Sequence, residues 1–107
     1  MAAYEAVLVA LADGTRRDIL DQLAVRPAAV SQLADRLPVS RPAVSQHLRI
    51  LLDAGLVQFD AEGTRNVYRL EREGFDVLRS WLDSFWQHVL DAFESYANQL
   101  PASRGEP

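Results

Sequence analysis

The residues best suited to a specific chemistry lie in the segment from Arg36 to Arg49, which contains three arginines and no acidic residue. On a helical wheel of about 100° per residue, Val44, Leu48 and Leu51 share one side, and the polar residues fall on the other. Glutamine pairs well with adenine, arginine with guanine or phosphate, and small residues allow the close approach that the DNA major groove demands. The predicted DNA-contacting residues are Arg41, Pro42, Ala43, Ser45, Gln46, His47 and Arg49, with Arg65 from a later turn.

The sequence leaves plainer interpretations of these residues open. Most amphipathic helices carry polar residues on their solvated side, whether or not they bind anything. His47 lies at the edge of the apolar stripe, where a packed, hydrogen-bonded imidazole fits as well as a contact to a base or phosphate. Arg65 could reach phosphate or the minor groove, or could be a solvated charge at a turn.

Four predicted helices position this segment. The first covers roughly Ala3–Leu11, and the second follows with Thr15 as its cap. The third begins near Val30, and a tight turn leads to the fourth, which has Ser40 as its N-cap and Gly55 at its left-handed end. The short third helix and the capped fourth therefore form a helix-turn-helix.

Two strand-like runs and a long helix complete the chain. The runs Leu56–Phe59 and Arg65–Leu70 flank a polar turn containing Gly63, which predicts a β-hairpin, or wing. The pattern is helical from about Glu73 to Leu100. The expected fold class is mostly α with a small β-hairpin, a winged helix-turn-helix in the order α-α-α-α-β-β-α.

The last helix carries two apolar rows, too many for a helix that faces water. One row can pack on its own domain and the other needs a partner, although a single broad core face is also possible. We expect the first and last helices to form a dimer interface of Tyr4, Val7, Leu8, Leu11, Leu78, Trp81, Leu82, Phe85, Val89, Phe93 and Tyr96. The rows also include Trp86, Leu90, Ala92 and Ala97.

Length and composition limit the function classes. The 107 residues fit one domain over 1–100, with a DNA-binding core at 13–72, dimerisation helices at 3–12 and 73–100, and a disordered tail at 101–107. The absence of cysteine excludes disulfides and cysteine nucleophiles, and the sequence has no Gly-rich phosphate loop, so we expect no enzyme. No run approaches the ~20 apolar residues of a membrane span, and no signal peptide is apparent, so we expect a cytoplasmic protein with no membrane partner.

The net charge of −4 is unusual for a DNA-binding protein, but it is unevenly distributed. Residues 15–72 contain nine arginines and seven acidic residues, whereas residues 73–107 contain two arginines and six acidic residues. All eleven basic residues are arginine, which suits bidentate contacts to phosphate and guanine, although a general preference for arginine over lysine would look the same. The overall negative charge leaves open a winged helix that binds protein rather than DNA.

Several stretches together resemble the ArsR-type winged helix-turn-helix repressors. They are Ala10–Leu20 (ALADGTRRDIL), Leu37–Leu48 (LPVSRPAVSQHL), Ala54–Val57 (AGLV) and the return from Gly63 to Leu70. The resemblance covers roughly residues 5–72. It implies a homodimer that binds double-stranded DNA at a palindromic operator with the fourth helix and the wing, blocks transcription, and dimerises through its first and last helices.

The sequence departs from the metal-sensing members of that family. Those members use cysteine on the short third helix, where this chain has Val30-Ser31-Gln32, or an aspartate and several histidines on the last helix. His88, Asp91 and Glu94 offer few ligands for a tetrahedral zinc site, although a metal-responsive repressor with a site on the last helix stays an alternative. The resemblance favours the metal-independent, autorepressor-like branch, with no cofactor and an effector that the sequence does not identify.

Overall fold

Five helices and a three-stranded sheet make up the computed structural model, which describes residues 2–100. In chain order they are α1 (Ala3–Leu11), α2 (Gly14–Val25), β1 (Ala28–Ala29), α3 (Val30–Arg36), α4 (Arg41–Asp53), β2 (Val57–Glu62), β3 (Arg65–Leu70) and α5 (Arg72–Gln99). This is the predicted winged helix-turn-helix order with one added strand, β1. The tail predicted over residues 101–107 lies outside the described residues.

The sheet is antiparallel, with the strand order β1-β3-β2. β2 and β3 pair as far as Glu62 opposite Arg65, so the turn has two residues and begins with Gly63 at a φ of +65°. The sequence predicted a longer turn, because the polar residues before Gly63 resemble a loop. β1 was not predicted, since two alanines carry no alternating pattern; it pairs Ala28 with Tyr68 and so ties the start of α3 to the wing.

Caps fix the ends of α2 and α4. Ser40 is the predicted N-cap of α4 and accepts a backbone hydrogen bond at 3.3 Å, and Gly55 has the left-handed φ, +74°, predicted at the end of that helix. The prediction for α2 was wrong by two residues: Asp13, rather than Thr15, is its N-cap and accepts from the Arg16 amide at 3.0 Å. This hydrogen bond holds the pKa of the Asp13 carboxyl below its ordinary value.

The hydrophobic core packs against the inner side of α4. Val44, Leu48 and Leu51 are fully buried, as the helical period predicted. Ile19 of α2 and Leu33 of α3 belong to the same buried cluster. Because apolar residues anchor α4 from behind, the direction in which its opposite side points is fixed by the core.

Arg16, in the first turn of α2, links α1 to α4. Its Nε donates to the carbonyl oxygen of Ala10 at 2.7 Å, and its Nη2 donates to that of Val9 at 3.1 Å. The carbonyl of Ala10, at the end of α1, thereby gains a donor, and the carbonyl of Val9 accepts this second bond beside the one from the Ala12 amide. Its Nη1 lies 3.3 Å from Nδ1 of His47 on α4. One guanidinium therefore joins the first helix to the helix that carries the predicted DNA-contacting residues.

Replacing Arg16 with alanine is expected to lower the free energy of unfolding by about 1–3 kcal/mol, because the partly buried Ala10 carbonyl loses its donor and the contact with His47 is lost. Arg17→Ala is the matched control, since this exposed arginine makes a bond at 2.7 Å to the carbonyl of Leu11. We expect the control to lose about 1 kcal/mol or less. Urea unfolding of the two variants measures the difference, and equal losses would contradict the linking role of Arg16.

The long helix α5 extends well beyond the rest of the molecule. It has 28 residues, and the molecule measures 71 × 25 × 23 Å along its principal axes. α1 packs on its first half, where Tyr4 stacks on Trp81 with ring centroids 4.9 Å apart. Within residues 2–100, no helix combines the length and the apolar character that crossing a bilayer requires.

Candidate nucleic-acid interface

The outward side of α4 presents a row of polar side chains to solvent. Five of the residues predicted to contact DNA are exposed there, opposite the buried apolar stripe: Arg41, Pro42, Ser45, Gln46 and Arg49. Ala43 is half-buried at the edge of this row. We call these five exposed residues the recognition row. Because the protein's own core lies behind the helix, the recognition row is free to lie against another molecule.

His47 points away from the recognition row, towards the junction of α1 and α2. Its Nδ1 lies 3.3 Å from Nη1 of Arg16 and 3.9 Å from Oδ2 of Asp13, and its side chain is half-buried. Of the two interpretations that the sequence left open, this geometry favours the packed, hydrogen-bonded histidine. We therefore leave His47 out of the residues to which we assign a DNA contact.

An open groove of about 400 Å³ joins the recognition row to the wing. Arg41 and Ser45 line it from α4, and Arg65 lines it from the start of β3. The groove therefore brings together predicted residues that are far apart in the chain. Further residues on its wall were not predicted, because the β1–β3 pairing that places them there carries no sequence signal: Ser31, Asn66 and Tyr68.

Three arginines of the recognition row and the groove have no ion-pair partner among the described residues. Over residues 2–100, Arg69 forms ion pairs with Asp60 and Glu71. On α5, Arg72 and Arg79 each face the aspartate four residues later. No such pair in this range involves Arg41, Arg49 or Arg65. The three unpaired guanidinium groups can thus attract phosphate although the chain as a whole has a net charge of −4.

A second exposed surface lies on α5 from Leu82 onwards and is apolar. Six large side chains there are 41–65% exposed: Leu82, Phe85, Trp86, Leu90, Phe93 and Tyr96. On α1, Leu8 is 40% exposed. We call these seven residues the apolar surface. An exposed group of large apolar side chains like this is typical of a surface that another molecule covers.

The structure corrects part of the predicted dimer interface. Val7 is 1% exposed and lies in the core of its own chain, so it is not available to a partner. Leu11 and Leu78 also pack against this core. Tyr4 and Trp81 are half-buried and stack on one another, and they stay predicted interface residues. The sequence also predicted that one apolar row of α5 packs on its own domain and that the other faces a partner. This prediction is wrong, because both rows are covered near the start of α5 and exposed further along it.

The histidine and acidic residues of α5 do not gather into a metal site within one chain. His88, Asp91 and Glu94 are all exposed. Among residues 2–100, no three potential ligands lie close enough together to hold a metal ion. One chain therefore offers at most a pair of neighbouring ligands here, fewer than a tetrahedral zinc site uses.

A helix-turn-helix followed by a β-hairpin, with unpaired arginines on the outer side of its second helix, defines a winged helix-turn-helix DNA-binding protein. Residues 13–58 match the family model described as "Bacterial regulatory protein, arsR family". The chain belongs to the ArsR family, and it is a DNA-binding transcriptional regulator and not an enzyme.

Relatives support this assignment over most of the chain. The chain is 55% identical over 97 residues to the HTH-type transcriptional regulator Rv2034 of Mycobacterium tuberculosis, covering 91% of this chain and 87% of that protein. It is 37% identical over 78 residues to the arsenical resistance operon repressor of Bacillus subtilis, covering 72% of this chain and 74% of that protein.

Solved structures show the same fold. An ArsR-like transcriptional regulator from Rhodococcus superposes with a TM-score of 0.77 at 32% identity, over 92% of this chain and 94% of that one. The homodimeric winged helix-turn-helix DNA-binding domain of Mb0332 from Mycobacterium bovis, a possible ArsR-family regulator, superposes with a TM-score of 0.64 at 36% identity, over 88% and 83%.

Proposed function

We propose that this chain is a repressor that binds an inverted-repeat operator as a homodimer, with the recognition row in the major groove and the wing beside it. The observation that carries the proposal is the recognition row itself: exposed Gln46, Arg49 and Arg41 on a helix held from behind by buried apolar residues. The side chains match what base edges and phosphates offer. The repressor role of the arsenical resistance relative supports the direction of the regulation.

The apolar surface supports the homodimer. A second copy of the chain is present wherever the protein is made. In a dimer with two-fold symmetry, the apolar surface of one copy covers the apolar surface of the other. The homodimeric structure from Mycobacterium bovis gives independent support. A two-fold dimer carries two recognition rows, and these enter successive major grooves on one side of DNA if they lie about 34 Å apart. Because the proposed operator is chromosomal DNA, the protein would act in the cytoplasm of a bacterial cell.

Selection from a random pool of duplex DNA tests the proposal. We expect the selected sequences to share an inverted repeat whose half-sites are about 10 base pairs apart from centre to centre. Cutting the repeat to one half-site should reduce affinity sharply. A selected site that is unsymmetrical and keeps full affinity as a single half would contradict the symmetric binding mode.

Replacing Arg65 with alanine is expected to make operator binding less dependent on salt. Each ion pair between arginine and phosphate accounts for about 0.9 of the slope of log affinity against log salt concentration, and the change removes two such pairs from a dimer. Arg79→Ala removes the same charge from the exposed side of α5, where its Nε faces Asp83 at 3.9 Å, and should leave the slope unchanged. Titrations between low and moderate salt measure both slopes, and equal slopes for the two variants would remove Arg65 from the interface.

A further inference from the structure

The residues that follow α4 and the first turn of α5 approach one another closely through backbone atoms. Gly74, in the first turn of α5, is buried, and its amide donates a hydrogen bond of 2.8 Å to the carbonyl oxygen of Gly55. Gly55 ends α4 with a φ of +74°, a conformation that favours glycine. This hydrogen bond pairs an amide at the start of α5 that has no acceptor within the helix, and it links α5 to the end of α4. We call this contact the helix joint.

The helix joint has no room for a side chain. A Cβ atom on Gly74 would lie 2.5 Å from the carbonyl oxygen of Ala54 and 2.8 Å from that of Gly55. Both neighbours are backbone atoms, so no side-chain rotation can relieve the contact. Any larger residue at position 74 must push the start of α5 away from the end of α4.

A pocket beside the joint gives such a shift room. A cavity of about 260 Å³ lies between α1, the end of α4 and the start of α5, and Gly55 and Gly74 themselves line it. Small side chains from α1 complete its wall, including Ala3 and Ala6. The two helices therefore have a neighbouring void into which they can move.

We propose that Gly74 is a positioning residue: the helix joint sets the angle and distance between the recognition row and the dimerising part of α5, and thereby the operator spacing that the dimer accepts. This inference rests on the proposed function, because it needs two recognition rows held by one dimer. α4 ends directly at the joint, and its far end is about 20 Å away at 1.5 Å per residue. A small change of angle at Gly74 is therefore enlarged at Arg41 and Gln46.

The test compares full-length Gly74→Ala with the unchanged chain on the selected operator and on versions whose centre is one base pair shorter or longer. We expect the unchanged chain to prefer its own spacing. We expect Gly74→Ala to bind that spacing at least tenfold more weakly, to be weakened much less on one altered spacing, and to keep its dimer dissociation constant. Gly14→Ala is the matched control, because its Cβ meets only a flexible arginine end at 3.7 Å; it should behave like the unchanged chain.

The outcomes separate the joint from the proposed function. If the unchanged chain recognises no inverted repeat, the proposed function fails. If it does, but Gly74→Ala keeps the same order of preference among the three spacings, the positioning role is overturned, whether affinity is kept or falls uniformly. Should Gly74→Ala not fold, Ala54→Gly loosens the same joint without adding an atom and is expected to bind the three spacings more equally. An unchanged preference in that variant would equally overturn the inference.

Discussion

Replacing Phe93 with glutamate is expected to raise the dimer dissociation constant by about 30- to 1000-fold, the effect of 2–4 kcal/mol at a central contact. Phe93 is 65% exposed in one chain, so the change removes little packing from the monomer. In a dimer it would place a carboxylate in an apolar contact, twice by symmetry. Operator binding should fall with the dimer, because each monomer then carries a single recognition row.

Ser95→Glu is the matched control for this charge. Ser95 lies two residues further along α5, is exposed, and belongs to the polar side of the helix. The Ser95→Glu change adds the same carboxylate to the same turn of α5, but outside the apolar surface. Sedimentation across a range of concentrations measures both dimer constants. A Phe93→Glu protein that stays as dimeric as Ser95→Glu would contradict the assignment of the apolar surface to the second copy.

The double change Gln46→Ala and Arg49→Ala is expected to abolish specific operator binding while leaving the dimer intact. Each bidentate contact to a base is worth about 1–3 kcal/mol, and a symmetric dimer is deprived of each one twice. Both residues are exposed and lie opposite the buried stripe, so the fold should not change. Affinity for unrelated DNA should fall far less, since Arg41 and Arg65 still provide contacts to phosphate.

The control for this prediction keeps the number of arginines equal. Gln87→Ala and Arg79→Ala together change the same two residue types at exposed positions on α5, away from the recognition row and the wing. The ratio of operator affinity to non-specific affinity, measured at one fixed salt concentration, is the quantity to compare. If the Gln46 and Arg49 variant keeps its ratio, the recognition row does not read base edges.

The sequence predicted α4 well because several local signals agree there. The spacing of Val44, Leu48 and Leu51, the Ser40 cap and the glycine after the helix all indicate the same boundaries. With those boundaries fixed, the outward side of the helix follows from geometry alone. The exposed state of Gln46 and Arg49 could therefore be predicted, and their contact with DNA is still a proposal.

Features that depend on distant parts of the chain could not be predicted in this way. The orientation of His47 depends on Arg16, which lies 31 positions earlier. The groove residues Ser31 and Asn66 meet only because a strand of two alanines pairs with β3. A helical wheel describes the circumference of α5 but not how far α1 reaches along it, and so the exposed half was misassigned to a row.

Cleavage of operator DNA from a reagent on α4 tests the central claim most directly. The chain has no cysteine, so Ser45→Cys gives one attachment site for an iron chelate on the recognition row, and Ser95→Cys gives one on the polar side of α5. If the recognition row lies in the major groove, the reagent at position 45 cuts within both half-sites about one helical turn apart, and the reagent at position 95 does not. Cutting from position 45 that is no more localised than cutting from position 95 would contradict the account.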